Sequence, residues 1–269
     1  MNSKPKIMGI LNVTPDSFYD GGRYNKPLPL KSRIKKLLKE GADIIDIGGE
    51  STRPNAKGIS IKTELARILP AVKQIRLLSK NIPISIDTSK PQVAFKCLEC
   101  GANVINDVTG LKNPAMMRVA KKYNCPVIIM HMRGTPKTMQ SMTDYKDILK
   151  EIYLFFDRKI RDCLRAGISR RNIIIDPGIG FSKTAKQNLF LIKNLNYFKK
   201  LKVKILIGTS RKSFIGVVLN QKNPKDRLLG SLSSAVFCYL KGADILRVHD
   251  VKQTAQVIKM AHSIETVKL

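Results

Sequence analysis

The chain has few acidic residues and no sign of a second domain. Its 269 residues contain 20 Asp and Glu against 49 Lys and Arg, which gives a formal net charge of +29. No low-complexity tract and no long linker rich in Ser and Pro divides it, so a modular or disordered protein is excluded. We therefore expect a single globular domain over residues 1–269.

Long hydrophobic runs are also lacking. The lysine-bearing N-terminal stretch leads into an apolar segment that is stopped by Asn12, Pro15 and Asp16. That segment is too short for a signal peptide or for a helix that crosses a bilayer. The sequence therefore predicts a cytoplasmic protein with no membrane partner.

Cysteine is sparse and odd in number, with five residues and no secretory context, which argues against a disulfide framework. Cys97 and Cys100 have the spacing of some zinc and redox motifs, but no second Cys or His pair lies at zinc-ligand spacing. The segment around them is typical of a helix that packs on a sheet. We expect free thiols there and no metal.

The excess of positive charge has two interpretations. A nucleic-acid-binding protein would explain it, and its affinity for DNA or RNA would fall steeply with salt. However, the lysines are spread over helix faces, and the chain has no arginine-rich arm and no interleaved aromatic platform. Solvated helix faces are therefore favoured, with no nucleic-acid partner and a diffuse field that attracts small anionic substrates.

What the chain does have is a regular alternation of short apolar runs with helical segments. Most of the runs are rich in Ile and Val, as is typical of strands buried on both faces. Eight strand-helix units in a chain close to the usual length of about 250 residues predict an α/β protein with a (β/α)8 TIM barrel. The predicted strands are residues 7–12, 44–49, 84–87, 104–107, 127–131, 173–176, 205–210 and 245–249.

Two of the helices can be located by their apolar spacing, at residues 31–40 and 147–166. Two connections, at residues 13–29 and 51–63, are long and rich in Gly and Pro. Because the loops that follow the strands of such a barrel surround its active site, these two segments are predicted to be mobile lids over its mouth.

Polar residues at the strand ends predict a site for a flat heterocycle. Asp87 and Asp176 end the third and sixth predicted strands, and Asn106 lies in the fourth. A carboxylate accepts hydrogen bonds from a ring N–H and an exocyclic amine, whereas an amide supplies both a donor and an acceptor. The alternative for each Asp is a helix N-cap. The Pro and Gly residues after Asp176 favour a loop that approaches a ligand closely.

The last strand predicts an anion site. Arg247 and His249 are two residues apart and so project from the same side of a strand. Asn12 ends the first strand, which is adjacent to the eighth in a closed barrel, so these three side chains can converge on an anionic group with a divalent cation. The alternative is an outward-facing, salt-bridged pair. His131 is a single histidine whose role, structural or functional, the sequence leaves open.

After the seventh strand, a turn of small residues leads into a helix and carries Lys212 and Ser213. A helix N-terminus favours anions, so Ser213 is a candidate ligand of a substrate carboxylate. Lys212 is a candidate donor to a ring carbonyl.

Eight motifs, in order along almost the whole chain, resemble those of the dihydropteroate synthases, a family of pterin-binding enzymes. They are Gly-Ile-Leu-Asn-Val-Thr-Pro-Asp-Ser-Phe from Gly9, Gly-Gly-Glu-Ser-Thr-Arg-Pro from Gly48, Ile-Asp-Thr from Ile86, Ile-Asn-Asp-Val from Ile105, Met-His-Met-Arg-Gly-Thr-Pro from Met130, Asp-Pro-Gly-Ile-Gly-Phe from Asp176, Thr-Ser-Arg-Lys-Ser-Phe from Thr209 and Arg-Val-His-Asp-Val from Arg247.

The resemblance implies a transferase of folate biosynthesis that joins p-aminobenzoate to 6-hydroxymethyl-7,8-dihydropterin diphosphate, releases pyrophosphate and forms 7,8-dihydropteroate. It implies Mg²⁺ as cofactor, small-molecule substrates as partners, and a homodimer formed through helices late in the barrel.

The resemblance also implies a role for each matching residue. The pterin is held by Asp87, Asn106, Asp176 and Lys212, with Met130 in the pocket wall. Mg²⁺ is bound by Asn12, and the diphosphate is contacted by Thr52, Arg247 and His249. The p-aminobenzoate site is formed by Phe18, Thr52, Pro54, Phe181, Lys212 and Ser213, with Arg53 a further substrate-binding candidate. The catalytic candidates are Asp176, Lys212, Asp20, Arg247 and His249.

Two related alternatives remain open. A pterin-dependent methyltransferase domain shares the barrel and the pterin-binding carboxylates but needs neither a diphosphate clamp nor an aminobenzoate loop. Three features therefore argue against it: Thr52-Arg53-Pro54, Lys212 and Arg247-Val248-His249. A non-catalytic paralogue is the second.

The sequence departs from the common family pattern at four positions in or near the two long loops: Tyr19, Asn55, Lys62 and Thr63.

Overall fold

The computed structural model describes residues 3–14, 30–51 and 58–268. Eight parallel strands form a closed barrel in which each strand is hydrogen-bonded to the next in sequence and β8 returns to β1. The predicted TIM barrel and single-domain α/β class are therefore confirmed. The strands are β1 Lys6–Asn12, β2 Ile44–Gly48, β3 Ile84–Asp87, β4 Val104–Asp107, β5 Val127–Met130, β6 Ile173–Asp176, β7 Lys204–Ile207 and β8 Ile245–Val248.

Helices follow the strands and surround the barrel. Two of them, α7 and α8, lie between β7 and β8 in the chain, and α9 closes the described structure. The helices are α1 Leu30–Lys39, α2 Ile61–Leu78, α3 Pro91–Glu99, α4 Pro114–Lys122, α5 Ile148–Arg165, α6 Ala185–Lys193, α7 Ser213–Val218, α8 Leu228–Leu240 and α9 Val251–Thr266.

The strands are buried on both faces, which explains their nearly continuous apolar runs. Their outward side chains pack against the helices in one large core. Their inward side chains form a separate apolar layer inside the barrel that consists of Met8, Ile44, Val104, Ile128, Ile174, Leu206 and Ile245. This layer fills the barrel, so the interior is closed and a ligand has access only above it.

The period of a strand then determines what lies above that layer. Because side chains alternate between faces, the residue two positions further along faces the same interior. Adding two to the members of the inner layer gives Ile10, Asp46, Asn106, Met130, Asp176, Gly208 and Arg247. A spacing of two in the sequence thus leads from the apolar layer to the level of the barrel that carries Asp46, Asn106, Asp176 and Arg247.

The strand and helix boundaries differ only slightly from the predictions. β7 ends at Ile207, three residues before the predicted end, because the chain turns through residues 208–212, where Arg211 adopts a left-handed φ of 58°. The loop predicted for residues 51–63 is shorter than expected. Ser60 caps α2 by accepting a hydrogen bond from Thr63 N at 3.1 Å, so Thr63 belongs to the first helical turn.

The five cysteines are free thiols, as predicted. Cys97 is buried in α3, and Cys100 follows that helix as its C-cap. Within the described ranges, no cluster of three or more His, Cys, Asp or Glu side chains is suited to hold a metal ion. In the same ranges no helix combines the length and the apolar character needed to cross a bilayer.

Candidate active site

A cavity opens at the carboxyl ends of the strands, directly above the apolar layer. Eight of the predicted site residues line it: Asp87, Asn106, Met130, Asp176, Phe181, Lys212, Arg247 and His249. The remaining lining comes from Ile10, Val108, Ile179, Gly208 and Ser210. Side chains from strands far apart in sequence therefore share one concave site, which is where barrels of this kind carry their chemistry.

The other predicted residues fall outside this lining. Phe18, Asp20, Thr52, Arg53 and Pro54 lie outside the described residues, as do Tyr19 and Asn55.

Asn12 and Ser213 are described but do not line the cavity. Asn12 is close to it, since a Cβ added to Gly48 would lie 3.2 Å from Asn12 Oδ1 and 3.8 Å from Asp87 Oδ2. Ser213 is the exposed first residue of α7.

Arg247 is held between two carboxylates inside the barrel. Its Nε donates to Asp46 Oδ2 and its Nη2 donates to Asp87 Oδ2, both at 2.7 Å. Asn106 Nδ2 also donates to Asp46 Oδ2, at 3.2 Å. The outward-facing alternative is therefore wrong: Arg247 forms its salt bridges inside the barrel, and His249 lines the same cavity.

These contacts determine which atoms remain for a ligand. Asp87 uses Oδ2 for Arg247, which leaves Oδ1 towards the cavity. Burial raises the pKa of Asp87 to about 7 despite the opposing charge of Arg247. For Arg247, burial lowers the pKa, but the carboxylates of Asp46 and Asp87 more than offset it, so the guanidinium stays charged.

Asp176 ends β6 and begins a tight loop. Its Oδ1 accepts a hydrogen bond from Gly178 N at 2.8 Å, so the side chain caps its own turn while still lining the cavity. The capping and functional interpretations are thus compatible. Burial raises the pKa of Asp176, whereas the Gly178 N–H and the Lys212 ammonium oppose that shift.

The loop after Asp176 depends on close backbone packing. Gly178 has a φ of 71°, and a Cβ placed on it would lie only 2.1 Å from the carbonyl oxygen of His131. Only glycine fits there, because this φ is unfavourable for other residues and the space is already occupied.

His131 has a structural role that the sequence left open. It is buried outside the cavity lining, where its Nδ1 lies 3.2 Å from Lys183 Nζ. The same ammonium donates to the carbonyl oxygens of Gly178, at 3.0 Å, and Phe181, at 2.8 Å. Burial lowers the pKa of His131 to about 2, so the imidazole is neutral and its Nδ1 can accept a hydrogen bond from Lys183. Lys183 and His131 together hold the loop that carries Asp176.

Lys212 lies in the loop after β7 and lines the cavity. Its Nζ lies 4.1 Å from the centre of the Phe181 ring, in a cation–π contact that orients both side chains. Burial lowers the pKa of Lys212 to about 8, whereas the charge of Asp176 opposes that shift.

His249 follows β8 and is held by Ser210, with 3.1 Å between Ser210 Oγ and His249 Nδ1. Desolvation by the cavity wall, followed by the charges of Arg247 and Arg211, lowers the pKa of His249, although the residue is exposed at the cavity. The ring is therefore neutral at physiological pH and contributes no charge of its own to the site.

Glu50 lies at the stem of the loop after β2. It accepts a hydrogen bond from Ile59 N at 3.0 Å through Oε1, and its other oxygen contacts Lys90. Lys90 also reaches the fully buried Glu64, at 2.5 Å. This cluster ties both ends of the loop to α2 and to the start of α3.

Sequence reasoning missed Asp46, Ser210 and Lys183. Asp46 has a detectable signal, since it is the one charged residue in an otherwise apolar five-residue strand. Ser210 lies inside the motif that begins at Thr209, and Lys183 lies two residues after the motif that ends at Phe181, but nothing in their spacing indicates which side chain each contacts.

Comparison with known proteins agrees with the fold and the cavity. A family model described as "Pterin binding enzyme" matches residues 8–249. A dihydropteroate synthase of Synechocystis is 45% identical over 259 residues, which cover 96% of this chain and 89% of that protein.

Solved structures agree as well. The Yersinia pestis dihydropteroate synthase in complex with a sulfonamide drug superposes with a TM-score of 0.90 at 40% identity, covering 98% of this chain and 95% of that one. The Xanthomonas albilineans dihydropteroate synthase in complex with 7,8-dihydropteroate gives 0.87 at 33% identity, with coverages of 98% and 95%.

The barrel, the polar cavity at its mouth and the family match define a pterin-binding enzyme, and the chain belongs to that family. Within the family, its relatives over nearly their full length are dihydropteroate synthases.

Replacing Gly178 by Ala tests whether loop packing positions Asp176. We expect a loss of stability above the cost of the unfavourable φ, about 1–2 kcal/mol, together with a marked rise in the KM for the pterin substrate. Gly41→Ala is the matched control, since Gly41 has a φ of 90° but nothing within 4 Å of an added Cβ. Equal effects of the two substitutions on KM would contradict the prediction.

The lowered pKa of Lys212 predicts an alkaline limb in the pH profile. A lysine is charged below its pKa, so the ammonium is present at pH 7 and is lost as the pH rises through about 8. We expect kcat/KM for the pterin substrate, which reports the free enzyme, to fall over that range. In Lys212→Arg the guanidinium keeps its charge, and the limb should move to higher pH. An unchanged limb in that variant would assign it to another group.

Proposed function

We propose that this protein is a dihydropteroate synthase, which joins p-aminobenzoate to 6-hydroxymethyl-7,8-dihydropterin diphosphate and releases pyrophosphate. The observation that carries the proposal is the composition of one cavity. Carboxylate and amide groups that suit a pterin edge lie beside the cations Lys212 and Arg247, which suit an anionic leaving group. A methyltransferase would need the first set of groups but not the second.

The pterin would be bound through side-chain oxygen atoms that have no hydrogen-bond donor within the described residues. Asp87 Oδ1 and the second carboxylate oxygen of Asp176 are acceptors for ring N–H and amine groups, since the other oxygen of each is already bonded. Asn106 uses its amide nitrogen on Asp46 and keeps Oδ1 as an acceptor. Met130 would form the apolar wall of the pterin pocket.

The reaction breaks the bond between the pterin methylene carbon and the diphosphate oxygen, and it forms a bond from that carbon to the arylamine nitrogen, which loses a proton. Arg247 and His249 would stabilise the departing negative charge. The anionic carboxylate of Asp176 would stabilise positive charge that develops on the pterin. Phe18 and Thr52-Arg53-Pro54, on the two long loops, are proposed to complete the aminobenzoate site with Phe181, Lys212 and Ser213. Asp20, in the first of these loops, would add electrostatic support.

We propose that Asn12, together with the substrate diphosphate, would hold Mg²⁺. Asn12 offers one amide oxygen near the cavity, and within the described residues no cluster of three acidic, His or Cys side chains could hold the ion alone. This donor set fits Mg²⁺, which usually binds through few protein groups plus substrate phosphates and water. When bound, the ion would supply charge neutralisation to the leaving group.

The decisive assay incubates the protein with the pterin diphosphate, p-aminobenzoate and Mg²⁺ and measures 7,8-dihydropteroate. Asp176→Asn keeps the side-chain shape but removes the charge, and we expect turnover to fall about 10²-fold to 10³-fold. Asp144→Asn, at an exposed site, is the matched control. Chelation with EDTA should also stop turnover, and added Mg²⁺ should restore it.

Pterin binding without product would instead favour a methyltransferase domain or a non-catalytic paralogue. Product formation by Asp176→Asn at the wild-type rate would contradict the assignment of Asp176. A steep salt-dependent affinity for DNA or RNA would favour the nucleic-acid-binding alternative.

The protein is also proposed to form a homodimer through α6, α7 and α8. These helices border an apolar groove of about 390 Å³. Large apolar side chains are exposed on these three helices or at their ends: Leu189, Phe190, Val217, Val218, Leu219, Leu229, Phe237 and Leu240. An apolar patch of this kind marks an interaction surface.

The cytoplasmic location expected from the sequence stays a prediction.

Leu229→Glu tests the dimer. Leu229 is 77% exposed, so a charge there should cost the folded monomer little but should disrupt an apolar interface. We expect sedimentation to show a dimer for the unmodified protein and a monomer for this variant. Leu77→Glu is the matched control, because Leu77 is 81% exposed but lies on α2. A monomer for the unmodified protein would refute the homodimer.

A further inference from the structure

Ser210 makes two contacts with the same histidine. It lies beyond the end of β7, and His249 lies beyond the end of the neighbouring β8. The backbone N–H of His249 donates to Ser210 Oγ at 3.2 Å, and Ser210 Oγ lies 3.1 Å from His249 Nδ1. Both residues line the cavity, and only 6% of Ser210 is exposed.

A count of protons determines the direction of the second hydrogen bond. A hydroxyl has one proton to donate and two lone pairs to accept. The backbone N–H of His249 can only donate, so it occupies one lone pair of Ser210 Oγ. The buried hydroxyl proton needs an acceptor, because an unpaired buried donor is costly. His249 Nδ1 meets that need if it carries no proton.

The surroundings of His249 keep its ring neutral. His249 is exposed at the cavity, but desolvation by the surrounding wall and the positive charges of Arg247, Arg211 and Lys212 still disfavour the imidazolium, and Asp250 is the group that opposes them. The carboxylate of Asp250 is already paired with Arg211, at 2.6 Å and 2.9 Å. A neutral ring with an unprotonated Nδ1 must carry its single proton on Nε2.

We propose that Ser210 is a positioning residue that selects the Nε2–H tautomer of His249, so that the ring offers a hydrogen-bond donor to the leaving diphosphate. The opposite tautomer would present a lone pair to an anionic oxygen and repel it. This inference rests on the proposed function for the identity of the anion, whereas the hold of Ser210 on the tautomer is a property of the free protein.

The tautomer can be measured directly. The chain has three histidines, so histidine labelled with ¹⁵N gives few signals in a two-bond ¹H–¹⁵N correlation spectrum. We expect His249 in the unmodified protein to show a protonated Nε2, and Ser210→Ala to shift it towards a protonated Nδ1. His131 and His262 serve as internal references, since their Nδ1 atoms contact Lys183 and Tyr239 instead.

The kinetic arm separates positioning from simple damage to the fold. Ser210→Ala should raise the KM for the pterin diphosphate and the inhibition constant for pyrophosphate about tenfold, with the KM for p-aminobenzoate unchanged. Ser210→Thr keeps a hydroxyl and should restore most of the loss. Ser85→Ala is the matched control, because Ser85 is buried inside the same barrel and its Oγ has no hydrogen-bond partner among the described residues.

Each outcome decides the proposal. A protonated Nδ1 in the unmodified protein, or an unchanged tautomer in Ser210→Ala, would overturn it. A shifted tautomer with unchanged pyrophosphate inhibition would overturn the link to the leaving group. If the unmodified protein forms no product but shows the expected tautomer and its shift, the proposed function fails while the role of Ser210 in holding His249 is supported.

Discussion

The guanidinium of Arg247, placed between the carboxylates of Asp46 and Asp87, is the interaction on which the site depends. A buried charge is tolerated only when it is paired and hydrogen-bonded, and here one guanidinium donates to carboxyl groups on two different strands. The pairing also links the proposed diphosphate and pterin subsites. Asp87 contacts Arg247, which is proposed to bind the diphosphate, and keeps one carboxylate oxygen for the pterin. Such an arrangement requires a barrel that closes, since β8 must pair with β1 for Arg247 to lie near Asp46 on β2 and Asp87 on β3.

The closed barrel brings Arg247, Asp46 and Asp87 together through the geometry of its strands. An apolar layer fills the interior, and the residues two positions further along carry the polar groups. The loops then complete the site by local contacts: Lys183 and His131 hold the loop of Asp176, and Ser210 holds His249. The apolar layer therefore lies directly below the residues at the mouth. A second set of buried side chains, Lys183, His131 and Ser210, orients these residues.

Much of this was predictable from the sequence, because the signals are local. Every predicted strand is confirmed to within three residues, and eight predicted site residues share the cavity. A run such as Ile-Ile-Ile-Asp identifies both a buried strand and a polar group at its end. The predictions were less accurate where a turn interrupts the pattern, as at β7, or where a capping residue starts a helix early, as Ser60 does for α2.

The sequence by itself determined the order of the elements and, through a spacing of two, which side chains face the barrel interior. It also placed the candidate groups at one mouth, since parallel strands in a barrel all end at the same side. Only the tertiary structure decided which of those groups pair. Arg247 and Asp46 are separated by 201 positions in the chain, and Ser210 and His249 by 39. Contacts at such separations leave no local pattern, because they depend on how the barrel closes and on where each loop turns.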